Sequence, residues 1–340
     1  MYSFKNDYSE GAHPLVLKKL EETNLLQMQG YGEDVLCLQA ADLIRNIINC
    51  PDADIHFLSG GTQTNLIALS AFLRPHEAVL SAETGHIEVH EAGAIEAAGH
   101  KVVSIQSSDG KLSPELIMPM LDFHTDEHMV KPRLVYISNA TEIGTHYTKG
   151  ELIALHKFCG ENNLLLYMDG ARLGTALTAQ GCDLEMRDIA EYTDAFYIGG
   201  TKNGALLGEA LVICSDELKT DFRFFMKQRG GLLAKGRILG VQFLALFEDD
   251  LYFKLARQAN ETAELLRKSI SGCGYSFTSD SKTNMLFPLF PSEVIEHLKK
   301  RFDFYVFPGR EASKYETRLV TSWATQRQAV LDFASCLNEL

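Results

Sequence analysis

Short apolar segments alternate with helical patterns between about residues 50 and 215. Most of these segments are continuous rather than alternating, which is typical of strands that helices cover on both faces. The repeated strand–helix order predicts an α/β fold with a mostly parallel seven-stranded sheet. The predicted strands are 55–59, 78–81, 101–106, 134–138, 164–168, 195–198 and 210–214, and the helices between them include 63–73, 149–162 and 183–192.

The pattern changes after residue 216, where helical periodicity continues with few strand-like segments between the helices. A chain of 340 residues is long enough for one large domain and a smaller one. The later predicted helices are 216–229, 234–247 and 251–271, followed by a shorter α+β segment over 275–340. The predicted units are an N-terminal arm over 1–30, a large domain over 31–250 and a small C-terminal α+β domain over 251–340.

The composition is that of a globular protein, and the net charge limits the kinds of partner that are expected. Hydrophobic residues make up 46% and charged residues 23%, which is ordinary for a chain with a sizeable core. With 32 basic and 45 acidic residues, the formal net charge is −13. A negative surface repels nucleic acid and anionic lipid. The predicted partner is therefore a small molecule, with no nucleic acid and no membrane.

The seven cysteines are scattered and form no Cys-x-x-Cys pair. Their odd number and spacing argue against a disulfide framework and against a structural zinc site. The N-terminus lacks the apolar stretch of a signal peptide, and no apolar segment approaches the length of a bilayer span. Free thiols in the cytoplasm are the expected state.

The first candidate for chemistry is a glycine-rich turn after the first predicted strand of the sheet. It contains Ser59, Gly60, Gly61 and Thr62, and it opens the next predicted helix. Exposed N–H groups and the helix dipole favour a phosphate at such a place. A tight turn with a helix cap explains the same residues without any ligand, and the lysine of a Walker A loop is absent.

An acidic residue, Asp169, comes directly after the strand predicted over 164–168, and Arg172 follows it. Open α/β sheets bind ligands beyond the carboxyl ends of their strands. Pyridoxal phosphate needs a carboxylate there to keep its pyridine nitrogen protonated, and Arg172 is placed to reach the phenolic oxygen of the ring. Taken alone, such a pair is more often a helix cap with a surface arginine.

Lys202 lies among glycines in the segment GGTKNG, residues 199–204, just after another apolar strand. A lysine that forms a Schiff base must lose its proton, and a crowded, partly buried cationic site lowers its pKa. The neighbouring Thr201 is placed to add a hydroxyl to the phosphate. Taken alone, an exposed lysine in a turn is the more common explanation.

Together the three segments predict a single site. They follow three strands of one sheet, whose carboxyl ends meet at one edge. A phosphate turn at Gly61 and Thr62, an acid at Asp169 and an amine at Lys202 meet separate requirements of pyridoxal 5'-phosphate. We therefore predict an enzyme that carries this cofactor on Lys202 as a Schiff base.

Further polar residues fit the same site less specifically. His86 follows an apolar strand and is placed to stack on the pyridine ring and move a proton, although a structural histidine is as common. His86 and His90 are four residues apart without the HExxH arrangement, so no metal is predicted. Arg318 suits a substrate carboxylate or a surface ion pair. Lys235 and Arg237 form a second basic pair that suits solvent, a subunit contact or the phosphate.

At these residues the chain resembles the threonine aldolase and β-eliminating lyase family of fold-type I pyridoxal-phosphate enzymes, which have the pyridoxal-phosphate-dependent transferase fold. The resemblance covers nearly the whole length in order. Its most specific segments are DGAR at 169–172 and GGTKNG at 199–204. The others are NDYS at 6–9, YGED at 31–34, GGTQTN at 60–65, EAG at 91–93 together with His86, and RLVT at 318–321.

The resemblance implies positions that contact the cofactor's ring, phosphate or Schiff base. They are Gly61, Thr62, His86, Asp169, Arg172, Thr201 and Lys202. It also implies that Arg318 binds the substrate carboxylate, with Asn6 or Ser9 from the N-terminal arm. The family usually forms homodimers or homotetramers with sites at the dimer interface, and segment 31–34 would lie near that interface.

One segment departs from the family pattern. Many relatives carry a histidine after the strand equivalent to 134–138, where this chain has Glu142. The resemblance implies retro-aldol cleavage of L-threonine or L-allo-threonine to glycine and an aldehyde, during which a base removes the β-hydroxyl proton. The predicted catalytic groups are Lys202 and Asp169, with His86 acting through water as the first candidate for the base and Glu142 as the second.

Other functions remain open on the sequence. The cofactor segments are shared with enzymes of β-elimination and transamination, and a phenylserine-type aldolase would differ only in its aldehyde. The non-enzymatic alternative is a binding module of the same fold without the cofactor. The coincidence of Lys202, Asp169 and Gly61 in one predicted site argues against that module.

Overall fold

The computed structural model describes residues 1–308 and 314–339. Its strands are β1 (Tyr2–Ser3), β2 (Asp54–Leu58), β3 (Glu77–Ala82), β4 (Lys101–Ile105), β5 (Lys131–Ser138), β6 (Leu165–Asp169), β7 (Ala195–Gly199), β8 (Glu209–Ile213), β9 (Met285–Leu286), β10 (Leu289–Pro291), β11 (Phe302–Asp303), β12 (Tyr305–Phe307) and β13 (Lys314–Val320). Its α-helices are α1 (Pro14–Thr23), α2 (Val35–Ile48), α3 (Gly61–Phe72), α4 (His86–Val89), α5 (Ala94–Ala97), α6 (Pro114–Phe123), α7 (Lys149–Glu161), α8 (Leu173–Leu177), α9 (Met186–Tyr192), α10 (Phe222–Gln228), α11 (Arg237–Phe247), α12 (Leu251–Gly272), α13 (Ser292–Leu298) and α14 (Arg327–Asn338).

A seven-stranded sheet with the order β2-β8-β7-β6-β5-β3-β4 forms the centre of the molecule. Its strands β3 to β7 run parallel to their neighbours, whereas β8 is antiparallel to both β7 and β2. The prediction of an α/β fold with a mostly parallel seven-stranded sheet is confirmed. Each predicted strand corresponds to one strand of this sheet, with bounds that differ by a few residues.

The continuous apolar strands are explained by burial on both faces of the sheet. Leu134 and Val135, successive residues of β5, are both fully buried, and they belong to different apolar clusters because successive side chains point to opposite faces. One cluster includes side chains of α2, α11 and the start of α12, and the other includes side chains of α3 and α10. Helices therefore cover the sheet on both sides, as in other parallel sheets.

The helix predicted over 216–229 is wrong as a single element. The chain forms a short 3₁₀ turn at Asp216–Leu218, and α10 begins only at Phe222. Asp221, between the two, has a φ of 59° in the left-handed region, which interrupts a right-handed helix. Phe222 and Met226 then pack into the apolar cluster beside α3. The apolar spacing thus predicted the buried face, while the break depended on one backbone conformation.

The C-terminal part has its own antiparallel sheet, in which β13 pairs with β10, β12 and β9. A third apolar cluster joins this sheet to α13, α14 and the second half of α12. Strand β1 pairs with β11, and Phe4 is fully buried in the same cluster. The first residues of the chain are therefore attached to the C-terminal part. The division into an arm and two domains stays a prediction.

Two observations bear on the environment of the chain. All seven cysteines are free thiols. Within residues 1–308 and 314–339, no helix combines the length and the apolar composition needed to cross a bilayer.

Candidate active site

The three segments that the sequence singles out meet at the edge of the sheet where β2, β6 and β7 end. A cleft of about 570 Å³ lies there. The predicted site residues that line it are Gly61, Thr62, His86, Glu142, Arg172, Thr201, Lys202 and Arg318. Asp169 is buried behind the lining and accepts a hydrogen bond from Tyr197, which does line the cleft. The structure therefore brings the predicted cofactor residues together.

A larger cleft of about 730 Å³ lies between the large sheet and the C-terminal sheet. Its lining includes Thr84, Ser107, Ile143 and Glu316, and none of the described residues that line it is a lysine or arginine. The groups needed for chemistry on an amino acid thus converge in the smaller cleft.

Hydrogen bonds within the phosphate turn fix its conformation. The Gln63 Oε1 atom accepts hydrogen bonds from the Ser59 hydroxyl (2.8 Å) and backbone N–H (3.3 Å). Because α3 begins at Gly61, the first N–H groups of this helix have no partner within the helix. A Cβ atom at Gly61 would lie 2.9 Å from the Tyr197 hydroxyl oxygen. A larger residue would therefore crowd this hydroxyl, and glycine leaves the start of α3 open. The turn therefore fits a phosphate group.

Asp169 is a buried carboxylate with four hydrogen-bond donors around it. Its Oδ2 atom accepts from the Tyr136 hydroxyl (2.6 Å) and from Asn65 (3.1 Å), and its Oδ1 atom accepts from the Tyr197 hydroxyl (2.5 Å) and the Ala171 N–H (3.0 Å). Burial by itself would raise the pKa of Asp169. The charge of His86 and the donated hydrogen bonds outweigh burial and hold that pKa below its usual value. Asp169 is therefore ionised at neutral pH, as a partner of a protonated pyridine ring must be.

His86 is held by Glu91, which the sequence had marked only as part of the family pattern. The Glu91 side chain is fully buried, and its Oε1 atom lies 2.8 Å from His86 Nδ1 and 2.8 Å from the Asn65 amide nitrogen. Burial would lower the pKa of His86, but the bond to Glu91 and the negative charges of Asp169 and Glu142 raise it above its usual value. With Nδ1 engaged by Glu91, Nε2 is the ring nitrogen left for the cleft.

Arg172 is paired with an acid that sequence reasoning missed. Its Nε and Nη2 atoms donate to the two carboxylate oxygens of Asp7 at 2.7 and 3.1 Å, and Asn284 donates to Asp7 at 2.9 Å. Burial would raise the pKa of Asp7, but the charges of Arg172 and Lys202 lower it. Asp7 belongs to the NDYS segment, so its position next to the predicted Asn6 was the available signal.

Asn6 and Ser9 lie beside the cleft without lining it. The Asn6 Oδ1 atom accepts hydrogen bonds from the Ser9 hydroxyl (2.9 Å) and the Tyr8 N–H (3.0 Å), which closes a local turn. Tyr8 is the residue of this turn that lines the cleft. A part for Asn6 or Ser9 in substrate binding stays a prediction.

Arg318 and Glu142 occupy the side of the cleft away from the phosphate turn. Arg318 pairs across the C-terminal sheet with Tyr305 and stacks on its ring at 4.9 Å. The Arg318 Nε atom is buried and has no hydrogen-bond partner among the described residues. A donor is therefore available for a substrate carboxylate. The Glu142 Oε2 atom lies 3.9 Å from Arg172 Nη1, so Glu142 shares the charge of that guanidinium with Asp7.

Lys202 and Thr201 line the same cleft, next to a second acid that sequence reasoning missed. This acid is Glu209, the first residue of β8, which is buried and lines the same cleft. The Glu209 Oε2 atom accepts a hydrogen bond from the Gly200 N–H at 2.9 Å. Glu209 lies in an otherwise apolar strand, EALVI, and an acid in such a strand was the signal that the sequence offered.

The second basic pair lies outside this arrangement, whereas His90 lines the cleft beside His86. Arg237 donates to the carbonyl oxygens of Asn24 and Leu26, and Lys235 is exposed. The rings of His86 and His90 are 5.6 Å apart, and His86 is bonded to Glu91. In the described parts of the chain, the side chains that converge with metal-ligand spacing are His297, Cys336 and Glu339, outside the cleft.

The residues of the cleft fit pyridoxal phosphate on two independent grounds. The glycine at position 61 leaves the start of α3 open for a phosphate, and Asp169 is held in the ionised state that a pyridinium requires. Fold and site together define the class, which is that of fold-type I pyridoxal-phosphate-dependent enzymes. Within this class, the model of the family described as beta-eliminating lyase matches residues 23–290. The chain belongs to that family, and it is a lyase.

Comparison with individual proteins identifies particular members of this class that the chain is similar to. The chain is 32% identical over 335 residues to the low specificity L-threonine aldolase of Pseudomonas aeruginosa, covering 97% of this chain and 95% of that protein. It is also similar to the structure of Leishmania major threonine aldolase, with 47% identity, a TM-score of 0.98, and coverage of 100% and 99%. An aspartate aminotransferase of Thermus thermophilus, at 16% identity, shares the fold with a TM-score of 0.74 over 100% and 91% of the two chains.

Proposed function

We propose that this enzyme cleaves L-threonine and L-allo-threonine, as β-hydroxy-α-amino acids, to glycine and acetaldehyde. The observation that carries the proposal is near-full-length similarity to threonine aldolases, combined with a cleft that contains an amine, an ionised acid and an unpaired guanidinium donor. A carboxylate and an amino group are the features that this set of side chains recognises. A small aliphatic aldehyde fits a cleft of about 570 Å³.

The cofactor would be held by Lys202 through its amine, by Gly61, Thr62 and Thr201 through its phosphate, and by Asp169 through its ring nitrogen. Pyridoxal phosphate, when bound, accepts the electron pair that bond cleavage leaves on Cα. Asp169 supports this chemistry by keeping a negative charge in a buried place, where a charge acts strongly. Arg172, fixed by Asp7, brings a positive charge to the same cleft.

Arg318 would orient the substrate. A guanidinium that binds the substrate carboxylate would restrict rotation of the substrate and so fix which bond at Cα is placed for cleavage. Correct orientation contributes on the order of 7–11 kcal/mol to barrier reduction at best. The stack on Tyr305 limits the motion of Arg318, and its unpaired Nε atom supplies a hydrogen bond without breaking an existing one.

His86 would remove the proton of the β-hydroxyl group, through a water molecule. Its Nδ1 atom is bonded to Glu91, so the neutral ring has its free acceptor at Nε2. Glu142, which lines the same cleft, is the second candidate for this base. The two candidate bases have different neighbours. Glu142 lies near the Arg172 guanidinium, whereas His86 is bonded to the buried carboxylate of Glu91.

We also infer that the enzyme acts as a homodimer or homotetramer in the cytoplasm. Exposed apolar side chains are concentrated between residues 15 and 38, where Leu25 is 91% exposed. Such a patch on one face is typical of a subunit contact. The other exposed apolar residues of this segment are Leu15, Leu17, Leu26, Tyr31, Val35 and Leu38. Light scattering should show a dimer or larger, and Leu25→Glu with Leu38→Glu should shift it toward monomer; a monomeric wild type would contradict this assembly.

The direct test is aldehyde and glycine release from both threonine isomers, with the visible absorption of the cofactor recorded on the same samples. Wild type should form both products, and Lys202→Ala should lose the activity together with the Schiff-base absorption. Lys101→Ala, which changes an exposed lysine at the start of β4, is the matched control and should keep both.

Two outcomes would overturn the proposal in different ways. A wild type that binds the cofactor but releases a keto acid in place of glycine and aldehyde would show β-elimination if ammonia is released as well, and transamination if it is not. A Lys202→Ala variant with wild-type absorption would show that another amine carries the cofactor.

A further inference from the structure

Glu209 lies between the two segments that form the phosphate site. Strand β8 is antiparallel to both of its neighbours, so its first residue is placed at the edge where β2 and β7 end. Glu209 pairs with Leu58, the residue before the phosphate turn, and with Gly199, which precedes Thr201 and Lys202 by two and three positions. The carboxyl group of Glu209 therefore lies at the base of the predicted phosphate site, which Gly61, Thr62 and Thr201 would form.

The surroundings of Glu209 favour its neutral form. It is buried, with 4% of its surface exposed, and it has two hydrogen-bond partners, the Gly200 N–H and the Thr201 side chain. Burial raises the pKa of Glu209 to about 8, with the charge of Asp169 adding to the increase and Thr201, Lys202 and Gly200 opposing it. The side chain thus carries a proton at neutral pH and loses it in mildly alkaline solution.

The charged and titratable groups near Glu209 come from the neighbouring strands and helices. Lys202 is the nearby cation that favours ionisation, and α3 contributes no charged side chain. His56 of β2 lies on the same face of the sheet, with its pKa lowered to about 4 by burial, so it is neutral in this range. The other groups are Asp169 and Tyr167 from β6, Tyr197 from β7 and Tyr252 from α12.

We propose that Glu209 is a cofactor-site residue that must be protonated when the phosphate of pyridoxal phosphate binds. A phosphate dianion and an ionised carboxylate repel each other strongly in a buried place that offers Glu209 few donors. Each therefore excludes the other, and binding of the phosphate above the pKa of Glu209 takes up a proton. The enzyme would therefore bind the phosphate more weakly in alkaline solution.

The test compares pyridoxal phosphate with pyridoxal, which lacks the phosphate but forms the same Schiff base. Both ligands are titrated into the cofactor-free protein between pH 7 and pH 9, and binding is followed by visible absorption. The pH effects of Lys202 act on both ligands and cancel in the ratio of the two affinities. In wild type this ratio should fall about tenfold between pH 7 and pH 9, as expected for a site that must hold one proton with a pKa of about 8.

Glu209→Gln keeps the size of the side chain and an acceptor for the Gly200 N–H, but it cannot ionise. Its ratio should equal that of wild type at pH 7 and stay constant up to pH 9. Glu77→Gln is the matched control, because Glu77 is also a buried glutamate in the sheet but lies at the start of β3. That variant should keep the wild-type decline.

A measurement on wild type alone makes the result independent of how well the variants fold. At pH 9, in weakly buffered solution, pyridoxal phosphate should take up about one proton more than pyridoxal on binding. Equal proton uptake for the two ligands, or the same pH dependence in wild type and Glu209→Gln, would overturn the proposal. Neither result would affect the assignment of the cofactor, since both ligands would still form the Schiff base with Lys202.

Discussion

Asp169 and Glu209 are two buried carboxyl groups at the same edge of one sheet, and their environments set them in opposite charge states. Asp169 accepts hydrogen bonds from four donors, and its pKa is below the usual value. Glu209 has two hydrogen-bond partners, the Gly200 N–H and the Thr201 side chain, and its pKa is raised to about 8. Burial acts in the same direction on both. The charge of His86 and the larger number of donors around Asp169, rather than the depth of burial, therefore decide which acid is charged.

The difference matches the part of the cofactor that each acid would face. The ring nitrogen of pyridoxal phosphate is a cation when protonated and needs a nearby negative charge. The phosphate is an anion and needs its surroundings to be neutral or positive. Two acids of similar chemistry thus suit opposite ends of one molecule, and three experiments test this contrast.

The largest effect is expected from removing the charge at the ring end. Asp169→Asn keeps the shape of the side chain but cannot hold the pyridine nitrogen protonated, so kcat for aldehyde release should fall on the order of 10³-fold. Steady-state assays measure the loss, and the visible absorption shows whether the cofactor is still bound. Asp188→Asn, at a buried aspartate bonded to Lys149 outside the cleft, should keep kcat within about twofold.

The outcome that would count against the contrast is a bound cofactor with near-normal kcat in Asp169→Asn. The ring would then be stabilised without a charge from this side chain, and the four donors around Asp169 would serve the fold alone.

Much of this site is predictable from the sequence, because its positions depend on the sheet. Strand order in a parallel α/β pattern brings the ends of successive strands together, so Gly61, Asp169 and Lys202 could be assigned to one cleft before any geometry was known. Their spacing also carries the family resemblance. Local patterns of strand, turn and helix therefore predicted the residues that would contact the cofactor.

The supporting residues could not be predicted in the same way, since they come from distant parts of the chain. Asp7 reaches Arg172 across 165 positions, and Asn65 reaches Asp169 across 104. Glu209 depends on β8 being antiparallel, which an alternating strand–helix pattern does not reveal. Tertiary contacts of single polar residues leave no periodic signal in the sequence. For Glu209, the sequence shows only an acidic residue within an apolar strand.

A smaller effect is expected on stability from Glu209→Gln. The folded protein holds a proton on Glu209 up to a pKa of about 8, whereas the unfolded chain releases it near 4.5. The folded state therefore binds more protons between these values, and this contribution to stability is lost as pH rises through that range. Relative to their difference at pH 5, the cofactor-free variant should exceed wild type in its free energy of unfolding at pH 8.5 by on the order of 4 kcal/mol.

Urea unfolding at pH 5 and pH 8.5 measures this difference, and at pH 5 the two proteins should be closely similar. Glu77→Gln should not become more stable than wild type on raising the pH in this range, because it leaves Glu209 unchanged. A Glu209→Gln variant that is equally stable relative to wild type at both pH values would show that Glu209 is ionised in the folded protein.

The smallest effect is expected from taking one donor away from Asp169. Tyr136→Phe removes the hydroxyl that donates at 2.6 Å, and a hydrogen bond to a charged group contributes about 1.5–3 kcal/mol. The free energy of unfolding at pH 7 should fall by about that amount, and kcat should fall with it because the pKa of Asp169 moves toward the behaviour of Glu209. Tyr147→Phe removes another buried hydroxyl, which accepts the Leu112 N–H at 2.7 Å, so it should lower stability while leaving kcat unchanged. If the two variants lose kcat equally, the donors around Asp169 do not tune its charge, and the contrast with Glu209 rests on the charge of His86.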